Sequence, residues 1–288
     1  MFVLTSLLLH AGCTSPEERK RLDAEKERAL QTLKALRADA QSSVGMMVRC
    51  EPGTRPGSAG VTDDETTAKG ILYNVRTPDD YDPQIAYPLL MVYAPAGMSA
   101  TGSEKFTGLT PYATAAGFVV AYARHRRMSI PTIMELSTIP SLIAKKWCIN
   151  EKRVYPTGHS DGGTVALALA ILEQTRQLPA AIAPSAAGMR GSDLTQYACP
   201  APLPVMMMHG ARDRHFPGFG SEVAAWWAAC NKCDPTPGPP MENGCIAYPR
   251  CTDDVTTWYC EGNGSHATWP ALNTAIVKFF SAVSNVRK

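Results

Sequence analysis

The sequence predicts an α/β protein with a mainly parallel central sheet covered by helices on both faces. Two observations carry the prediction. From residue 70 onward, short apolar runs alternate with longer segments of helical period, the pattern of a parallel sheet wound with helices. Several of the short runs are apolar at every position, as strands buried on both faces are.

In chain order, the expected strands are ILYNV, PLLMVYA, GFVVAYA, RVYPTG, AAIAPS, PVMMMHG and TTWYCEG. Their length and their content of Val, Tyr and Ile suit a buried sheet. Helices are expected over PTIMELSTIPSLIAKKW, GGTVALALAILEQTR, GSEVAAWWAACNK and PALNTAIVKFFSAVS, each long enough for two or more turns of apolar periodicity. With 288 residues, 45% of them hydrophobic, the chain can enclose one large core. No internal repeat is visible.

Upstream of this domain, residues 1–13 read as an export segment. Phe2 to Leu9 is apolar, small residues precede Cys13, and Leu9-His10-Ala11-Gly12-Cys13 resembles a lipoprotein processing site. Lipidation of Cys13 would attach the protein to a membrane; the rival expectation is a periplasmic or secreted form. The apolar run is too short to span a bilayer. Residues 14–69 read as a charged helix and a linker. Leu22, Ala29, Leu33, Leu36 and Ala40 form a narrow apolar stripe within EERKRLDAEKERALQTLKALRADA, and EPGTRPGSAGVTDDETTAKG has loop composition. Residues 70–288 form the expected α/β domain.

Charge excludes one class of partner. Lys and Arg total 28 against 26 acidic residues, without a basic stripe interleaved with aromatics, so the footprint of a nucleic-acid binder is missing. Setting Cys13 aside, eight of the nine cysteines remain: Cys50, Cys148, Cys199, Cys230, Cys233, Cys245, Cys251 and Cys260. An even set in an exported chain favours disulfides of unassigned connectivity. The C-x-x-C pair at Cys230 and Cys233, followed by Cys245 and Cys251, keeps a zinc site as the alternative.

In a parallel α/β sheet, functional residues gather where strands end. After RVYPT comes GHSDG, a G-x-S-x-G turn between a strand and a helix. Such a turn is sharp, and side chains at its glycine positions would collide with neighbouring elements, so Ser160 would stand exposed above the sheet. A serine hydroxyl needs a base to take its proton and a carboxylate to orient that base. Asp213 follows the strand PVMMMHG, and His266 lies in the loop after TTWYCEG. His209, at the end of its strand, reads as a satisfied core histidine, and the Arg124-His125-Arg126-Arg127 cluster as solvated or paired with local acids.

The chain order Ser, Asp, His is that of the α/β-hydrolase fold. From about Gly70 to Phe280, PLLMVYAPAG, TGLTPYATAAGFVVAYA, WCINEKRVYPTGHSDGG, MMMHGARDRHFP and CEGNGSHATWP together resemble secreted esterases grouped with polyhydroxybutyrate depolymerases and feruloyl or acetylxylan esterases. The resemblance implies an acyl-enzyme mechanism on carboxylic esters without metal or cofactor. Ser160 is the implied nucleophile, His266 the general acid and base, and Asp213 its partner. Substrate-facing candidates are His159, His215, Phe216 and Trp269; packing is the competing role for His159, packing within their own loop for His215 and Phe216, and anchoring of its own loop for Trp269. One departure stands out. The family carries a His-Gly pair after the first parallel strand, where this chain has Ala94-Pro95. Proline has no N–H, so the oxyanion donors fall to the backbone amides of Asp161 and Ala96, with Gly97 as the substitute. Two other readings compete: a peptidase of the same fold, and an envelope lipoprotein with little catalytic power that binds polymer or carbohydrate.

Overall fold

A computed structural model describes residues 15–43 and 48–283, with side chains assigned outside 39–43. The export segment with Cys13 lies outside the described residues. The elements in order are α1 (Pro16–Ser43), β1 (Val61–Thr66), β2 (Leu72–Arg76), β3 (Tyr87–Tyr93), α2 (Ala100–Thr107), α3 (Thr110–Ala115), β4 (Val119–Ala123), α4 (Ile130–Leu136) and α5 (Ile139–Ala144). They continue as β5 (Ile149–His159), α6 (Asp161–Ile171), β6 (Ala183–Ser185), α7 (Gly191–Leu194), β7 (Val205–Gly210), α8 (Phe219–Cys230), β8 (Cys245–Tyr248), a 3-10 turn (Thr252–Asp254), β9 (Thr257–Gly262) and α9 (Asn273–Ala282).

All nine strands join one sheet in the order β1-β2-β4-β3-β5-β6-β7-β9-β8. The six from β4 to β9 in that order run parallel; at the edges, β1 pairs antiparallel with β2, β2 with β4, and β8 with β9. Side chains alternate between two buried layers. Leu90, Val92, Val120, Tyr122, Met206 and Met208 pack in one core with Leu109, Ile276 and Phe280. Leu89, Met91 and Val119 pack in a second with Ile133, Ile139 and Val165. Apolar transfer on both faces therefore holds the central strands between the helices, and β3 and β4 are buried at every position, as the sequence predicts.

Three local outcomes differ from the sequence expectation. The segment 51–70, expected as linker, contains the edge strand β1, whose Val61 pairs with Arg76 and which bulges between Thr62 and Glu65. VTDDET is polar because an edge strand with one solvated side gains from charge that discourages further pairing. The expected single helix over 131–147 breaks into α4 and α5: Ser137 and Thr138 hydroxyls bond back to the carbonyls of Met134 and Glu135, and Pro140 opens the next helix. β8 lies within a loop-like stretch and is fastened to β9 by a disulfide directly across the ladder.

Helix α1 is solvated over residues 16–28 and docks by its second half. Leu33 is fully buried in the core shared with Ala113, Ala116 and Ile276, and Arg37 pairs with Asp80 at 2.9 Å. Among the described residues, no helix is long and apolar enough to cross a membrane.

The eight described cysteines form four bridges: Cys50–Cys148, Cys199–Cys230, Cys233–Cys251 and Cys245–Cys260. The two halves of the C-x-x-C pair thus go to different partners, and the zinc alternative is set aside for those residues. Four disulfides suggest an extracellular or periplasmic protein, since such bridges persist in oxidising compartments. Cys50–Cys148 closes the longest loop, with a sequence separation of 98, and constrains the unfolded chain most. Replacing both cysteines by serine is expected to lower unfolding stability by about 2–5 kcal/mol, read as a drop in the urea midpoint of the oxidised protein. An unchanged midpoint would contradict the chain-entropy argument.

Candidate active site

The strand order reverses around β3, since β4 lies on one side of it and β5 on the other. A crevice therefore opens at the carboxyl ends of β3 and β5, the place where ligands bind in open α/β sheets. Ala94-Pro95-Ala96 leaves β3 there, and Ser160 follows β5. Tyr93 pairs with Gly158 in the parallel ladder, so Ala96 and Asp161 each lie three residues beyond a matched pair.

Ser160 sits on the sharp strand-to-helix turn with φ 55° and ψ −119°, a strained conformation for a residue with a side chain. The turn passes close to the end of β3. A Cβ on Gly158 would come within 2.5 Å of the Tyr93 carbonyl oxygen, and one on Gly162 would collide with the same atom. Glycine at these positions is thus a packing requirement. Beneath the serine, α6 begins at Asp161, and residues 162–171 are all buried. Its first amides have no intrahelical acceptor. They point, with the positive end of the helix dipole, toward the serine.

The structure brings the three sequence-predicted triad residues together. The Ser160 hydroxyl lies 2.9 Å from His266 Nε2, and His266 Nδ1 lies 2.7 Å from Asp213 Oδ2. Asp213 is fully buried at its side chain. Its other oxygen, Oδ1, accepts the backbone N–H groups of His215 at 2.8 Å and Phe216 at 2.9 Å. Burial alone would push the Asp213 pKa up. The hydrogen bond from His266 and the two amides outweigh it and hold the carboxyl below its usual range. An ionised Asp213 only accepts, so Nδ1 of His266 carries the proton and Nε2 is free to accept from the serine. That is the tautomer that makes a serine nucleophilic.

Each substrate-facing candidate has a definite place. His215 is exposed and Phe216 half-buried; their rings lie 4.8 Å and 4.9 Å from the His266 ring, Phe216 edge-on at 90°. Trp269 packs near Phe106 and His159 and donates its indole N–H to Asn273 Oδ1 at 2.8 Å, which ties the His266 loop to α9. His159 is 3% exposed, and both its ring nitrogens have protein partners: Nε2 lies 2.6 Å from the His266 backbone oxygen and Nδ1 3.0 Å from Ser185 Oγ. Nε2–H donates to the His266 carbonyl, and Nδ1 accepts from the serine. Behind the loop lies a cavity of about 430 Å³, reaching Asn243, Gly244 and Thr268. With open space at its back, the loop is positioned by these hydrogen bonds more than by packing.

The backbone amides named as oxyanion candidates differ in their bonding. Pro95 O accepts from Met98 N at 3.1 Å, closing a turn whose third residue, Gly97, has φ 73°; turns with positive φ there favour glycine. The Gly97 amide donates to His125 Nδ1 at 2.9 Å and is thereby committed. The amides of Ala96 and Asp161 donate to no acceptor among the described residues. His125 Nε2 in turn lies 2.9 Å from Asp161 Oδ2. The sequence reading placed His125 in a basic cluster and missed this bridge. His209 differs too: it is 4% exposed, its ring packs on the backbone of Gly220, and neither ring nitrogen has a hydrogen-bond partner. Its Nε2 lies 3.6 Å from Asp213 Oδ2, beneath the triad.

No protein-family model matches the sequence, and no curated protein sequence matches it. Solved structures do. An acetyl xylan esterase from Aspergillus awamori superposes with a TM-score of 0.59 at 14% identity, covering 78% of this chain and 100% of that one. The feruloyl esterase module from Clostridium thermocellum, complexed with sinapinate, gives 0.58 at 13% identity over 82% of this chain and 93% of that one. A putative dipeptidyl aminopeptidase IV from Bacteroides ovatus gives 0.53 at 12% identity over 79% of this chain and 35% of that one. The chain has the α/β-hydrolase fold, which these esterases and the aminopeptidase share.

Burial holds the pKa values of His159 and His209 below the usual imidazole range. As pH falls through about 6.5, both histidines take up protons in the unfolded chain but resist them in the folded one. Their contribution to stability is therefore full above that range and declines below it, by up to about 1.4 kcal/mol per pH unit for each group. The urea midpoint is expected to be lower at pH 5.5 than at pH 7.5, with a weaker dependence in His159→Gln. Identical midpoints at the two pH values would contradict the neutral, buried state of both rings.

Proposed function

We propose that the protein is an exported serine esterase that hydrolyses carboxylic esters through an acyl-enzyme on Ser160. The observation that carries this reading is the continuous hydrogen-bonded line from Asp213 through His266 to the Ser160 hydroxyl. In the first half-reaction Ser160 Oγ attacks the ester carbonyl carbon as His266 Nε2 takes the hydroxyl proton. The imidazolium so formed is stabilised by Asp213, and the carbonyl oxygen, now negative, is held by the free amides of Asp161 and Ala96. His266 then gives its proton to the departing alcohol, leaving the acyl group on Ser160. In the second half-reaction His266 deprotonates a water, which attacks the acyl carbon and releases the acid. Each amide aimed at the developing oxyanion contributes on the order of 2.7–4 kcal/mol in related chemistry.

The exposed His215 and half-buried Phe216 beside His266 border the acyl side of the cleft and suit feruloyl or acetylated xylan, or a hydroxybutyrate-type polyester. The four disulfides support a place outside the cytoplasm. Attachment through lipid on Cys13 would leave the solvated half of α1 as a spacer between membrane and domain. The fold alone does not separate ester from peptide cleavage, and turnover of nitrophenyl esters against aminoacyl anilides decides between them. Purified protein is expected to hydrolyse the esters and to be labelled at Ser160 by a fluorophosphonate. Ser160→Ala should lose labelling and at least about 1000-fold in kcat. Labelling at another residue, or faster turnover of the anilides, would reject the assignment.

A further inference from the structure

We propose that His125 is a positioning residue for the oxyanion hole, a clamp that fixes the loop after β3 to the nucleophile turn after β5. The inference rests on the esterase reading above and deepens it. The two amides assigned to the hole come from different segments, so their spacing depends on whatever joins those segments. Ala96 stands in a short turn between Pro95 and Met98 whose residues 96 and 97 are exposed, and nothing lies within 4 Å of a Cβ built on Gly97. Packing alone does not hold this turn.

His125 supplies the missing support from the neighbouring strand. Tyr93 pairs with Ala123 in the parallel β3/β4 ladder, so two residues further on Pro95 and His125 are adjacent. The backbone of His125 donates to Met98 O at 3.0 Å, its Nδ1 accepts the Gly97 amide at 2.9 Å, and its Nε2 reaches Asp161 Oδ2 at 2.9 Å. Because Nδ1 accepts from a backbone amide, the proton of the neutral ring sits on Nε2 and is donated to the carboxylate. One imidazole thereby joins the residue after Ala96 to the side chain of Asp161. It also withdraws the Gly97 amide from the hole and so selects Ala96 as the second donor. Where the related esterases carry a His-Gly pair in the loop itself, this chain has Ala94-Pro95 and braces the loop from outside. His125 touches no reacting atom in this arrangement.

The test is a mutant cycle on the full chain with a nitrophenyl ester. His125→Ala is expected to lower kcat about 10- to 100-fold, the penalty of a donor displaced by a fraction of an ångström to one ångström, with KM within about threefold of the parent. Affinity for a trifluoromethyl ketone, which forms a tetrahedral adduct, should fall by a similar factor. Asp161→Ala removes the other end of the clamp and should reproduce the kcat loss without altering residue 125. Asp161→Asn retains an acceptor oxygen for the His125 ring and should recover most of the kcat lost in Asp161→Ala. The double variant His125→Ala/Asp161→Ala should be no slower than the worse single, since residues acting as a unit are not additive. Losses that multiply in the double variant, a loss confined to KM, or an Asp161→Asn protein as slow as Asp161→Ala would overturn the clamp while leaving the esterase reading intact. A folded parent without ester turnover would overturn the esterase reading, and the clamp with it.

Discussion

The close approach of two backbones at the centre of the sheet is the constraint from which the site follows. The Tyr93 carbonyl at the end of β3 meets the turn at Gly158 and Gly162 so closely that a Cβ at either glycine has no room. That contact brings the start of α6 against the sheet and drives Ser160 into its positive-φ conformation above it. The strain at one residue is offset by the burial of ten consecutive residues of α6 behind it. The same contact brings the end of β3 beside the turn, within reach of the bridge that His125 makes from the Gly97 amide to the Asp161 side chain.

The half of the candidate site that carries Asp213 and His266 is built differently. The loop carrying His266 has a cavity at its back, and directional bonds take over from packing: His159 to its backbone, Asp213 to its ring and Trp269 to Asn273. Directional bonds are strong only when dry and correctly protonated. Asp213 meets that demand by collecting two backbone amides. His159 meets it by being buried neutral, so that one nitrogen donates and the other accepts. His209, neutral and without a hydrogen-bond partner at 3.6 Å from the same carboxylate, is the costly member of the set. A buried ring nitrogen left unpaired costs about 1–3 kcal/mol, and it is tolerated directly under the triad, where Gly220 leaves space for the ring and little else.

Ser160, Asp213 and His266 were legible in the sequence because each follows an apolar strand, and strand ends converge whatever the loops do. The central strands were legible because both faces are buried and most positions are apolar. Polar edges were not: VTDDET carries no apolar alternation because half of β1 faces water, and β8 owes its place to the bridge from Cys245 to Cys260. The disulfide connectivity required coordinates, since partners such as Cys50 and Cys148 are 98 residues apart in sequence.

His125 was hidden for a more instructive reason. Read along the chain, it is one of four consecutive basic or imidazole residues, and such a cluster resembles a solvated loop. Its neighbours in space are set by the pairing of β4 with β3, and only the register Tyr93 to Ala123 reveals that it faces Gly97. Sequence order places a residue on an element; ladder register decides which loop that element's end will touch. The departure at Ala94-Pro95 marks where such a compensation had to be sought. Pro95 supplies no backbone donor, so the loop must be held by its neighbours, and at the end of β3 the available neighbours are the ends of β4 and β5. His125 comes from one and Asp161 from the other, which is why the bridge runs between those two residues across the top of the sheet.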